Sequence, residues 1–299
     1  MSDRRTEPSV RTQVADALGV AAESAAELDG GEVGRVERVS LADGRTVAAK
    51  TGETPLTVEA FMLSVLADRG LPVPDVLHRS DDLLVMEYVE GDGEFTPAAE
   101  RDVARHLAAL HERRPRESGG AMGDAADGRF GFPRDTLTGP YRQPNPWTES
   151  WVAFFRDHRL RHFAETAAEA GVLPPELAER IDALAADLDS WLPDAPAASL
   201  LHGDAWANNI VVRDGRVRAF LDPASSFGHA EVELAYVDFV GSFGDAFFET
   251  YRDERGIDDG FEAGRREVYQ LVPLLEHLLY FEDDGYAAEI GARLTELGY

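Results

Sequence analysis

Cysteine is absent from the 299 residues, which excludes disulfides and thiolate metal sites and leaves the cellular compartment unread by redox chemistry. Lysine is nearly absent: of 29 Lys and Arg residues, Lys50 is the only lysine. No apolar run approaches the length of a membrane span, and the N-terminal MSDRRTEPSV lacks the apolar stretch of a signal peptide, so a cytoplasmic protein is expected. Positive charge is scarce overall. With a formal net charge of −27 and a pI of about 4.5, the surface repels nucleic acids and anionic membranes, and neither is expected as a partner. The acid excess is spread along the chain, and in composition it resembles halophilic proteins, whose self-repulsion is screened by a short Debye length. Nothing in the sequence fixes the oligomeric state.

What the chain does have is centred on residues 200–224, LLHGDAWANNIVVRDGRVRAFLDPA. Two short apolar runs flank Asp214-Gly215, a strong hairpin signal. With those two as the loop, Asn209 is expected opposite Phe220, Asp222 just past the open end, and Asp204 on the loop leading in. Two oxygen ligands with a third carboxylate nearby suit Mg²⁺, which prefers one or two protein oxygens together with substrate phosphates and water. The arrangement is that of a phosphoryl-transfer site. Asp204 takes the proton of an attacking hydroxyl, and Asn209 and Asp222 hold metal against the phosphates. Asp and Asn beside a hairpin are also ordinary turn formers, so the rest of the chain has to decide.

Where almost every cation is Arg, a surviving lysine can mark a position needing a compact ammonium rather than a planar fork. Lys50 ends a strand expected over residues 45–50, after an Asp43-Gly44 turn and a strand over residues 35–41. Before them, Gly30-Gly31 reads either as a plain turn or as a loop whose N–H groups approach phosphates closely. After them, Thr54-Pro55 opens a helix closing at Gly70, with Glu59 beside its apolar side. A carboxylate there is a solvated edge or, after a strand lysine, the partner that aims the ammonium at α- and β-phosphates.

Residues 83–89, LLVMEYV, read as a buried strand running into a glycine-rich hinge. In a kinase-like fold the backbone of Glu87 and Val89 would face adenine. Thr96 and Pro97 start a helix, residues 114–135 read as a long loop, and helices are expected over residues 148–170, from Pro174-Pro175, and over residues 269–281. The expected architecture is α+β and two-lobed: a small β-rich lobe over residues 1–91 and a large helical lobe over residues 92–299 that carries the hairpin.

The chain resembles the fructosamine kinase (ketosamine-3-kinase) family, within the aminoglycoside-phosphotransferase and protein-kinase-like fold. HGDAWANN resembles the family's HGDLWSGN, and DPASSFGHAEVELA its DPA-x-x-x-GH-x-E-x-DLA. QPNPWTESWVAFFRDHRL and YQLVPLLEHLLYF match two further segments. The resemblance implies Asp204 as catalytic base, Asn209 and Asp222 as Mg²⁺ ligands, Lys50 with Glu59 as the phosphate-orienting pair, and Gly30 and Gly31 over the nucleotide. It implies Trp206 as a wall of the sugar pocket; a core aromatic is the other reading. His202 is expected to brace its loop, and His229 with Glu231 to form a structural elbow. Ala205, Ala207-Asn208 and Glu233 depart from the family pattern, which bears on the acceptor pocket more than on the chemistry. The implied activity is ATP- and Mg²⁺-dependent transfer of phosphate to a hydroxyl, O3 by resemblance, of a fructosyl- or ribulosyl-amine, free or on a glycated protein lysine, promoting deglycation. An aminoglycoside- or choline-type kinase and a nucleotide-binding protein without turnover are the alternatives.

Overall fold

A computed structural model describes residues 8–28, 34–112, 129–281 and 283–299. Helix α1 (Val10–Leu18) and strand β1 (Ala22–Glu27) precede β2 (Arg35–Leu41) and β3 (Thr46–Thr51). Helix α2 (Leu56–Asp68) follows, then β4 (Val76–Arg79) and β5 (Leu83–Glu87). These five strands form one antiparallel sheet in the order β1-β2-β3-β5-β4. Side chains alternate across a strand. Val47 and Ala49 of β3 therefore enter the cluster made with Val14, Val39 and Val85, whereas Lys50 turns to the other face. There its cross-strand neighbour Leu84 packs with Leu56, Ala60 and Leu63 of α2. Glu59 of α2 is thereby carried to the lysine.

Beyond β5 the chain docks on the hairpin of β9 (Ile210–Arg213) and β10 (Arg216–Phe220): Asp92 N–H donates to Val212 O at 2.9 Å, and Arg213 pairs with Glu90 at 2.8 Å. Gly91 is required at that crossing, because a Cβ would lie 2.7 Å from Val211 Cγ1. Helix α3 (Pro97–Glu112) starts with its Ala99 N–H on Thr96 Oγ1 at 3.4 Å. Its Val103, Leu107 and Leu110 join a large helical core, to which α2 also contributes Met62, Val65 and Leu66.

Residues 113–128, most of the expected long loop, lie outside the described residues. The remainder of that segment is packed: Phe130 pairs with Thr148, Gly131 with Phe227, and Phe130 and Phe132 are buried. The short ribbon β6 (Thr136–Thr138) and β7 (Tyr141–Gln143) follows. The helix expected over residues 148–170 starts later, with Ser150 as its cap, as α4 (Trp151–Phe155). It widens into a π-turn at Arg156–Leu160, where buried Arg159 donates to Pro144 O and Asn145 Oδ1, and continues as α5 (Arg161–Glu169).

Helix α6 (Pro175–Ala186) leads to β8 (Ala198–Leu201), which pairs after the hairpin with β11 (Ser226–His229). Helices α7 (Glu231–Val240), α8 (Asp245–Glu254), α9 (Arg266–Phe281) and α10 (Asp284–Glu296) complete the chain. Among the described residues, no helix is long and apolar enough to cross a membrane.

Candidate active site

The hairpin turn has Asp214 at φ 53° and Gly215 at φ 69°, the left-handed pair a two-residue loop needs. Its register begins as expected, with Arg213 facing Arg216, and then slips by one at a bulge between Val217 and Ala219. Ile210 rather than Asn209 therefore faces Phe220, and Asn209 O accepts from Leu221 N–H at 2.8 Å. The correction brings Asp222 one step closer to Asn209. Asp222 itself sits at φ 49°, a left-handed conformation that Asp tolerates better than most residues.

Asp204 is clamped on both oxygens. Asn209 Nδ2 donates to Oδ2 at 2.8 Å and to the Asp204 carbonyl at 3.1 Å, and the Tyr236 hydroxyl donates to Oδ1. Burial pushes the Asp204 carboxyl up to about 7, against the lowering effect of Tyr236. The loop carrying it is held from behind by Glu233, which accepts from His202 N–H at 3.1 Å, from Gly203 N–H at 2.6 Å and pairs with His111 Nε2 at 2.8 Å. Glu233, absent from the sequence-predicted site, thus carries the backbone of the whole turn. Its signal was present as a carboxylate in the apolar run EVELAYV. His202 stays neutral through burial, and its Nδ1 accepts from Asp204 N–H at 3.3 Å, so it braces the turn. Gly203 has φ 91°, and a Cβ there would lie 2.2 Å from Ala224 O; no other residue fits.

From the sheet, Lys50 reaches Glu59 at 2.9 Å and also donates to Asp222 Oδ1. Burial opposes its charge, but the two carboxylates outweigh burial and raise its pKa. One ammonium cannot compensate two buried carboxylates equally. Burial pushes Glu59 up to about 7 despite Lys50, whereas Asp222, also opposed by burial, is held low by the lysine.

Lys50, Glu59, Asp204, Trp206, Asn209 and Asp222 all line one cavity of about 2010 Å³ between the sheet and the helical part. Trp206 is partly exposed in its wall, not in the core. Glu87 and Val89 are not among the lining residues, and Glu87 N–H is taken by Asp75 O at 2.9 Å. Gly30 and Gly31 lie outside the described residues. His229 Nδ1 meets Tyr269 OH at 2.9 Å and Glu231 is held by Arg265 at 2.8 Å, the contacts of a structural elbow.

Among the described residues, no group of three or more His, Cys, Asp or Glu could hold a metal ion. The donor set is an oxygen pair. Asn209 spends its nitrogen on Asp204, leaving Oδ1, and Asp222 adds a carboxylate, which fits a hard cation completing its shell with ligand oxygens and water.

A family model described as fructosamine kinase matches residues 7–297. A probable ketoamine kinase of Synechocystis sp. is 31% identical over 201 residues, 66% of this chain and 62% of the relative. Ketosamine-3-kinase of Mus musculus is 33% identical over 246 residues, 74% of this chain and 76% of its own length. A solved structure of a candidate fructosamine-3-kinase from Thermobifida fusca aligns at a TM-score of 0.79 with 28% identity over 96% of both chains. An aminoglycoside phosphotransferase of 19% identity, TM-score 0.68, shares the two-lobed protein-kinase-like fold over 96% of this chain and 99% of its own. With sequence and fold agreeing over nearly its full length, the chain belongs to the fructosamine kinase family and is a phosphotransferase whose acceptor group is a hydroxyl.

Proposed function

We propose that the chain uses ATP and Mg²⁺ to phosphorylate O3 of a fructosyl- or ribulosyl-amine, free or on a protein lysine, and thereby promotes deglycation. The observation that carries this reading is the convergence of Lys50 from the sheet with Asp204, Asn209 and Asp222 from the helical part on one cavity. We place the boundary between the lobes at Gly91-Asp92, where the chain crosses onto the hairpin.

In this mechanism Asp204, with its carboxyl near neutrality and both oxygens fixed, accepts the acceptor's hydroxyl proton. A bond forms from that oxygen to the γ-phosphorus while the bond from phosphorus to the β–γ bridging oxygen breaks, and ADP leaves. Lys50, oriented by Glu59, aligns the α- and β-phosphates. Asn209 Oδ1 and Asp222 would hold Mg²⁺, which when bound neutralises charge on the β- and γ-phosphates. Trp206 offers a flat face to the sugar or to a substrate cation. A phosphate on O3 then favours elimination and release of the amine.

The test is ATP consumption at high salt with fructosyl-lysine, ribulosyl-lysine, kanamycin and choline, with ³¹P NMR to locate the new ester. Turnover is expected with the ketosamines, and Asp204→Asn should lower it by about 10³-fold while ATP still binds. Preference for kanamycin or choline, or an active Asp204→Asn enzyme, would overturn the reading.

A further inference from the structure

Past Asp204 and Trp206 the cavity runs on to α9, where Glu276, His277 and Tyr280 line it together with Tyr236 and Thr138. Glu276 is a carboxylate that, with His277, interrupts an apolar helix stretch, VPLLEHLL, and no step of the chemistry above uses it. Among the described residues Arg159 is the single cation that acts on it, and Arg159 is committed elsewhere, to Pro144 O at 2.8 Å and Asn145 Oδ1 at 2.6 Å. Thr138 Oγ1, which lines the same stretch of the cavity, lies 2.7 Å from the Tyr280 hydroxyl. Burial pushes the Glu276 carboxyl up to about 8; Arg159 works against that shift and the nearby Asp204 adds to it. Glu276 is partly exposed to the cavity, and a carboxyl whose own protein supplies no ion pair is stabilised in its ionised form when a ligand brings the cation. The surrounding Trp206, Tyr236 and Tyr280 add ring faces, which attract an ammonium.

We propose that Glu276 anchors the protonated amine of the acceptor, so that the enzyme selects ketosamines as cations and the anchored nitrogen determines which hydroxyl meets Asp204. The proposal rests on the kinase reading above. A ketosamine carries nitrogen on C1 and the accepting hydroxyl on C3, so a carboxylate placed beyond Asp204 in the same cavity fixes one end of the short chain of atoms that must be aligned. Neutral sugars of the same shape lack that anchor. Truncating one partner of a buried, hydrogen-bonded charge pair carries a large cost because the other charge is left uncompensated.

The experiment compares two acceptors, 1-butylamino-1-deoxyfructose and its neutral ether isostere 1-O-butylfructose, in wild type, Glu276→Gln and Glu276→Asp. Wild type is expected to favour the amine by about thirtyfold or more in kcat/KM, and Glu276→Gln to bring that ratio to within about threefold, mainly through KM for the amine. Glu276→Asp should restore part of the ratio, and it also serves as the readout if Glu276→Gln fails to fold, judged by nucleotide binding and thermal unfolding. An unchanged ratio in the variants, or no preference in wild type, overturns the proposal. Turnover with that outcome leaves the kinase reading standing; no turnover of any ketosamine by wild type overturns both.

Discussion

Two sides of the cleft are held together by different physics. At the Lys50 corner, an ammonium from β3 is shared by Glu59 of α2 and Asp222 of the distant loop. Across the cavity, the turn 202–204 is fixed from behind by Glu233, by the Ala224 N–H on His202 O at 2.9 Å, and by the close approach that only Gly203 permits. None of the contacts that brace this side faces the phosphates or the cation of the proposed reaction. The charged corner, by contrast, satisfies Lys50 and Asp222 with each other, and a bound phosphate and cation would replace those partners. Position is built into one side, and exchangeable charge into the other.

The comparison breaks most visibly at the lysine. Lys50→Arg keeps the charge but puts a planar fork where Glu59 and Asp222 converge, and a bidentate guanidinium would hold both carboxylates instead of releasing them to ligands. A fall in kcat/KM of about a hundredfold is expected, with thermal stability little changed. A near-normal rate in a coupled ATPase assay would mean that charge alone suffices at this corner.

The brace is tested by Glu233→Gln. Oε2 serves His202 N–H and His111, and Oε1 serves Gly203 N–H, so whichever way the amide is turned one backbone donor loses its acceptor. Stability should drop by about 2 kcal/mol in urea titrations, and kcat by about tenfold with KM for ATP unchanged. Loss confined to KM would show that the turn needs no support from behind.

How far these features could be read from sequence follows the range of the interactions. Asp214-Gly215, the alternation around Lys50 and the spacing on α2 are local, and they yielded the hairpin and the strand-lysine with its helix glutamate. The bulge between Val217 and Ala219 is decided by packing on the strand, so the expected register was off by one beyond it. Strands β8 and β11 are four residues each and pair across the intervening hairpin, which leaves no periodicity to detect. Tyr236 and Glu276 look like ordinary members of helices α7 and α9 until the fold turns them toward Asp204. Glu233 was visible as a departure from the family pattern, but its work is on backbone N–H groups, which no side-chain motif records.

A smaller effect bears on whether the braced side depends on neutral groups. Beside His229 at the end of β11, the Trp151 indole N–H of α4 donates to Tyr269 OH of α9 at 2.9 Å; an indole nitrogen is only a donor, so the tyrosine proton is left for His229 Nδ1 at 2.9 Å. His229 is thereby an acceptor at Nδ1 and neutral, and burial, helped by Arg265 and Arg255, pushes its pKa down to about 3. In the unfolded chain the imidazole titrates near 6.5. Between those values the unfolded state binds a proton that the folded state refuses, so stability is complete above the higher value and declines as pH falls toward the lower one. The slope contributed has an upper limit of about 1.4 kcal/mol per pH unit. His229→Asn is less stable than wild type at pH 7.5 because the contact with Tyr269 is altered, yet it lacks this slope. The stability difference between the two should therefore shrink as unfolding is measured at pH 7.5, 6 and 5. Carboxylate protonation, large in a chain of net charge −27, is common to both proteins and cancels in that difference. Parallel profiles would show that His229 accepts a proton in place, and that the elbow at the end of β11 tolerates charge.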